Sequence, residues 1–309
     1  MVEWTLREEF ATPGGTVRWD RIGAGPPVVL LHGTPFSSVV WRAVARSLAR
    51  HHEVYVWDML GYGLSDHADD VSPATQGRIF ADLLQHWDLP RPAVVAHDFG
   101  GAVSLRAHLL HGAAYSRLAL VDPVALAPWG SPFFRLVRDN PAVFEQIPPA
   151  LHAALLREYI SSASHGGLLP AVSDRLVQPW LGEQGQAGFY RQIAQADQRY
   201  TDEIEGRYGE IDLPALVCWG LEDEWIPVER GKALADAIPG AELQLIPGAG
   251  HLVQEDAPAE LTTALLGFLG AGDGHKGRQL TQFVPPAVMA GVAGADEVTA
   301  AGVTVPGPA

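Results

Sequence analysis

Val94-Val95-Ala96-His97-Asp98-Phe99-Gly100-Gly101 is the stretch whose reading decides the fold. A short apolar run over residues 92–96 meets a polar residue and then a glycine pair, and an amphipathic stretch follows over residues 102–110. The pattern predicts a strand, a very tight turn and a helix. Asp98 stands at the turn. A hydroxyl there would attack acyl carbon. A carboxylate is a weaker base, able to displace a leaving group from saturated carbon and remain as an alkyl ester. Asp is also a good helix N-cap, so the rest of the chain must decide between the two roles.

Composition narrows the field. The 309 residues can hold one large α/β domain with an inserted subdomain, and 47% apolar content suffices for a sizeable core. A net charge of −15 speaks against nucleic acid and anionic membrane surfaces as partners, since both need clustered Lys and Arg. No apolar run reaches the roughly 20 residues of a membrane helix. No basic segment followed by an apolar run marks a leader. The single Cys218 can form no internal disulfide, which fits a reducing compartment; a cytoplasmic protein is expected. Twelve His residues show no convincing metal-ligand spacing, so no metal is expected.

Outward from the opening stretch, strand and helix signals alternate. Strands are expected at 16–22, 27–31, 53–57, 94–96 and 118–121, and helices at 39–49 and 75–87. This alternation predicts a largely parallel sheet covered on both faces. Strand signals then vanish until residue 207. Helical stretches at 132–138, 149–162 and 185–205 read as a lid that excludes water from a pocket. Alternation resumes at 215–219, 229–237, 242–246 and 258–269. The expected division is a core over 1–125, a helical cap over 126–207, the rest of the core over 208–270, and a disordered tail over 271–309 rich in Gly, Ala, Val and Pro.

Four motifs occur in order: His32-Gly33-Thr34-Pro35; Asp58-Met59-Leu60-Gly61-Tyr62-Gly63-Leu64-Ser65-Asp66; the His97-Asp98-Phe99-Gly100-Gly101 turn; and Trp219-Gly220-Leu221-Glu222-Asp223 ahead of Gly248-Ala249-Gly250-His251. Over about residues 17–269 the chain resembles the α/β-hydrolase superfamily, in particular its epoxide hydrolase and haloalkane dehalogenase branch. The resemblance implies an α/β-hydrolase fold, a mostly parallel sheet flanked by helices with an inserted helical cap. It makes residues 97–101 the nucleophile elbow, with Asp98 where Ser usually stands.

The resemblance also implies the roles. Asp98 is the nucleophile and His251 the base that activates water against the resulting ester. Asp223 orients His251, although Glu222 and Glu224 flank it and Asp122 sits where some relatives keep their acid. The backbone N–H groups of Thr34 and Phe99 form the oxyanion hole, with a cis Thr34–Pro35 bond. His32 braces its loop.

The leaving group follows from departures in this chain. Dehalogenases of this branch place Trp after the nucleophile to hold the halide, and here Phe99 offers no donor. Fluoroacetate dehalogenases carry Arg at that position and three residues on, where this chain has Phe99 and Ala102. Epoxide hydrolases use two lid Tyr hydroxyls to protonate the epoxide oxygen, and Tyr159 and Tyr190 are the candidates, with Tyr200 and Tyr208 as spares. Epoxide hydrolysis to a vicinal diol is therefore expected. A haloalkane dehalogenase with an atypical halide site is the alternative, and a non-hydrolytic binding protein on the same scaffold is the third reading. An apolar pocket is expected, with Phe36, Trp129, Trp180 and Trp225 as substrate contacts. Gly61-Tyr62-Gly63 lacks the third Gly of a dinucleotide loop, and no cofactor is expected. The partners expected are a small apolar substrate and at most a second copy of the chain.

Overall fold

Strands that are apolar without alternation need cover on both faces, and the centre of the sheet is built from them. The computed structural model describes residues 4–270; the expected tail at 271–309 lies outside the described residues. Eight strands form one sheet: β1 (Glu8–Thr12), β2 (Gly15–Gly23), β3 (Pro27–Leu31), β4 (Glu53–Trp57), β5 (Ala93–His97), β6 (Arg117–Val121), β7 (Ala215–Gly220) and β8 (Glu242–Ile246). Their order is β1-β2-β4-β3-β5-β6-β7-β8. β3 to β8 run parallel, and β1 and β2 add an antiparallel edge. Every residue of β5 and β7 is buried. This is the α/β-hydrolase architecture that the sequence predicts.

Helices α1 (Arg42–Leu48), α2 (Pro73–His86) and α3 (Phe99–His111) connect the first strands. Ser72 caps α2 by accepting the Thr75 N–H, with Pro73 at the first helical position. α3 is buried from Phe99 to Ala107, so its apolar residues are not confined to one stripe. Between β6 and β7 lie only helices: α4 (Pro132–Asp139), α5 (Pro141–Phe144), α6 (Pro149–Ser161), α7 (Pro170–Val177), α8 (Gly182–Ala194) and α9 (Arg199–Glu205). The core closes with α10 (Val228–Ala237), α11 (Val253–Asp256) and α12 (Pro258–Gly270). None of the described helices is long and apolar enough to cross a membrane.

Three differences from the sequence reading have local causes. β1 carries too little apolar signal to be read, because two of its five residues are only half-buried and the rest are exposed. The helix expected over 185–205 is two helices, with Asp197 accepting the Arg199 N–H at 2.9 Å to start the second. α5 and α7 are short and begin at Pro141 and Pro170, inside stretches that read as loop.

The topology creates a crevice. From β3 the chain passes to β4 on one side, then returns to β5 on the other, with Leu31 of β3 level with Ala96 of β5. Loops leaving the carboxyl ends of these two strands diverge there, which is where α/β sheets bind ligands.

Candidate active site

Asp98 leaves β5 at that crevice with φ 51° and ψ −122°, a strained conformation for any residue with a Cβ. The close packing around it explains the neighbouring glycines. A Cβ on Gly33 would lie 2.3 Å from the Asp98 Cβ, and one on Gly101 would lie 2.4 Å from the Pro123 Cβ. The Thr34 N–H donates to Asp98 Oδ1 at 2.7 Å, and the Thr34–Pro35 peptide is cis. Phe99 is the first residue of α3, so the helix itself has no use for its N–H. His32 Nε2 accepts the Met59 N–H at 2.9 Å and its Nδ1–H donates to the Gly33 carbonyl at 2.8 Å, so His32 braces this loop.

The other carboxylate oxygen faces the imidazole. His251 Nε2 lies 3.2 Å from Asp98 Oδ2, and its Nδ1–H donates to Asp223 Oδ2 at 2.9 Å. Asp223 Oδ1 accepts the N–H groups of Trp225 and Ile226 at 2.7 and 2.9 Å. Glu222 instead accepts the Gly248 and Ala249 N–H groups, bracing the loop that carries His251, while Glu224 is exposed. Asp122 is buried close by, but its Oδ1 accepts the Gly220 N–H and not the imidazole. The His97 Nε2–H donates to the His251 carbonyl at 2.9 Å.

Burial and charge divide these groups. Burial alone would raise the Asp98 carboxyl, but the hydrogen bond and charge of His251 outweigh it and hold Asp98 below its ordinary value. Burial opposes charge on His251, yet Asp223 and Asp98 raise it well above the usual imidazole range. Burial, reinforced by the His251 charge, lowers His97 to about 3, so it remains neutral. These directions favour an imidazolium between the Asp98 and Asp223 side chains. Asp98, His251 and Asp223 are thus joined by hydrogen bonds, and among the described residues Asp122, Asp223 and His251 are the buried group with ligand atoms close enough to hold a metal ion.

A cavity of about 30 Å³ sits over Asp98, lined by Phe99, Trp129, Phe134, Tyr159 and Trp225 among others. On that scale the cavity has room for about one or two waters. A larger groove, of about 310 Å³, lies where α2 and α3 end, and none of the groups above lines it.

The structure sorts the sequence-predicted lid residues. Tyr159 lines the cavity, with its ring stacked on Trp225. Burial and then the Asp98 charge raise its phenol, so it keeps its proton. Tyr190 does not line the cavity: its O–H donates to His152 Nδ1 at 2.9 Å, because His152 Nε2–H is given to the Trp180 carbonyl. Trp129 and Trp225 line the cavity, but their indole N–H groups are spent on the Thr201 and Ser162 hydroxyls. Trp180 does not line it, and its N–H donates to the Pro35 carbonyl at 2.6 Å. Phe36 also stands behind the lining, between Trp225 and His97. Tyr200 and Tyr208 lie elsewhere, the latter donating to the Ala125 carbonyl.

Two lid contacts escaped the sequence reading. Gln192 of α8 accepts hydrogen bonds from the Thr34 and Tyr62 hydroxyls, tying α8 to the loop that follows β3. The Asp256 carboxylate accepts from Ser164 Oγ, His165 N and Gly250 N, tying the lid to the His251 loop. Neither residue stands in a motif, and only the fold brings their partners together.

Comparison with known proteins bears on the fold. A family model described as alpha/beta hydrolase fold matches residues 26–258. A crystal structure of an alpha/beta hydrolase fold protein from Burkholderia ambifaria is 50% identical, with a TM-score of 0.83, over 85% of this chain and 98% of that one. Among curated proteins, a cis-3-alkyl-4-alkyloxetan-2-one decarboxylase of Xanthomonas campestris is 30% identical over 79% of this chain and 88% of its own. Haloalkane dehalogenase 2 of Mycobacterium tuberculosis is 26% identical over 84% of this chain and 94% of its own.

Proposed function

The chain belongs to the alpha/beta hydrolase fold family, and from that premise we propose that it is a hydrolase with an Asp nucleophile that opens small epoxides to vicinal diols. The observation that carries this reading is the donor inventory of the cavity. Phe99 has no side-chain donor, the indole N–H groups of Trp129 and Trp225 are already bonded to the protein, and the Thr34 hydroxyl is given to Gln192, which leaves the Tyr159 and Ser131 hydroxyls. A halide would find little to hold it. The Tyr159 hydroxyl, in the same cavity, suits a leaving oxygen that must be protonated. The decarboxylase relative is named for a four-membered cyclic ester, another strained ring with a C–O bond to open.

Oδ1 of Asp98 is tied to the Thr34 N–H at 2.7 Å, so Oδ2, held by the longer 3.2 Å contact with His251 Nε2, is the oxygen that attacks an epoxide carbon. The C–O bond breaks, and Tyr159 protonates the alkoxide. Esterification removes the Asp98 charge that helped hold the proton on His251, so the imidazolium can restore the Tyr159 proton. Neutral His251 then takes a proton from water as the water oxygen attacks the Asp98 carbonyl carbon. Negative charge develops on Oδ1, where the Thr34 N–H already points. Collapse releases the diol, and the resting carboxylate and imidazolium return. Epoxide plus water gives diol, with no proton left over.

Intact-protein mass spectrometry of His251→Gln tests the reading. Incubated with propylene oxide, the variant should gain the mass of the whole epoxide, and Asp98→Asn/His251→Gln should gain nothing. Gain of an ethyl group from bromoethane, with none from epoxides, would assign dehalogenation instead. No adduct from either panel would remove the covalent mechanism.

A further inference from the structure

Behind the imidazole stands an acid that the relay does not use. Asp122 ends β6 with φ 41°, in the left-handed region that strains a residue bearing a Cβ, and it is fully buried. Its Oδ1 accepts the Gly220 N–H at 2.9 Å, while its Oδ2 meets no donor among the described residues. Asp122, Asp223 and His251 each place one polar atom within 4.8 Å of the others. The two carboxyls are unequally served. Asp223 accepts from the His251 imidazole and from two backbone N–H groups; Asp122 accepts from one. Two buried carboxylates this close do not both stay ionised, and the one with fewer donors keeps its proton.

We infer that Asp122 is a positioning residue, a neutral carboxylic acid whose Oδ2–H donates to the Asp223 carboxylate and holds it in line with His251 Nδ1. The unpartnered oxygen then becomes a donor, and the site carries one net negative charge instead of two. Burial first, and then the Asp223 charge, keep the Asp122 carboxyl well above the ordinary range, against the opposing charge of His251. The Cys218 thiol of β7 is pushed up by burial and adds no charge. The inference needs no particular substrate, so it can fail or hold independently of epoxide hydrolysis.

Infrared spectroscopy of the full chain, with and without isotopically labelled Asp carboxyls, reads the proton directly. At neutral pH the wild type should show the carbonyl stretch of a protonated Asp, shifted by the label and absent in Asp122→Asn. No such band at neutral pH, or one that survives in Asp122→Asn, overturns the inference. Should Asp122→Asn fail to fold, Asp223→Asn serves. Without the neighbouring charge, the band should titrate away at lower pH than in the wild type, and an unchanged midpoint overturns the proposal. Asp122→Asn, whose amide offers an N–H in place of the O–H, should keep the His251 imidazole titration seen by NMR. Asp122→Ala should shift it, and equal titrations in the two variants count against a positioning role.

Discussion

The Trp225 indole lies against the His251 imidazole, ring centres 5.0 Å apart and planes 26° apart, and the Tyr159 ring stacks on the same indole at 4.5 Å. His251, Trp225 and Tyr159 therefore form one aromatic stack. A cation over an aromatic face gains about 0.5–2 kcal/mol, so Trp225 helps hold the charge on His251. Trp225→Leu should lower the imidazole pKa and slow ester hydrolysis by roughly tenfold, the equivalent of about 1.4 kcal/mol. Quenched-flow mass spectrometry should then find the alkyl-enzyme accumulating. An unchanged steady-state ester level would show the stack to be packing alone.

The two lid tyrosines should separate cleanly. Tyr159→Phe removes the cavity's phenol donor and should cut ring opening by roughly a hundredfold or more, the scale of general acid catalysis. Tyr190→Phe removes a hydrogen bond to His152 instead. It should leave turnover within a few-fold and cost about 1 kcal/mol of stability, read as a lower unfolding temperature. Equal losses of turnover in both variants would return Tyr190 to the catalytic set.

Stability should fall on the alkaline side because of His251. Its folded pKa is raised, so the folded state holds an extra proton from about pH 6.5, the unperturbed value, up to that raised value. The stabilisation is complete below that window and is lost as pH rises through it. Asp98 works at the other end: its folded pKa is lowered, so its contribution is present above the ordinary carboxyl value and lost as pH falls through the folded one. Between about pH 7 and about pH 9 the unfolding temperature of the wild type should drop more than that of His251→Gln. Parallel curves in a fluorimetric melt would mean that His251 is neutral at rest.

Much of this was legible because it is local. Residues 27–31 and 53–57 read as strands at the bounds observed, since buried parallel strands are short apolar runs between turn residues, and 242–246 read so although only Ile246 of that edge strand is buried. The elbow was legible because steric crowding leaves glycine as its neighbour. Gly101 has no room for a Cβ beside Pro123, and that constraint shows as a glycine after Asp98. Asp223 was picked over Glu222 and Glu224 through the order and spacing of the motifs, because three adjacent carboxylates otherwise differ only in where the turn after β7 points them. The lid was the least legible part. Tyr190 sits in a sequence context like that of Tyr159, and only the His152 hydrogen bond reveals that its proton is spent.

Asp256 offers the sharpest test of how the lid is fastened. Its carboxylate takes hydrogen bonds from Ser164 Oγ at 2.5 Å, His165 N at 2.9 Å and Gly250 N at 2.8 Å, joining the turn after α6 to the loop that carries His251. Asp256→Ala leaves three donors unpaired at a partly buried joint, and hydrogen bonds to charged groups contribute about 1.5–3 kcal/mol each. Because the turn can meet water once released, a total loss of roughly 3 kcal/mol is expected. Asp256→Asn, which keeps an acceptor oxygen, should lose less. The functional consequence should be a loosened His251 loop: a lower kcat and faster proteolysis near residues 164–167. A variant that melts early but is cleaved no faster at that turn would mean that the lid is held elsewhere, with Gln192 and its bonds to Thr34 and Tyr62 as the next joint to cut.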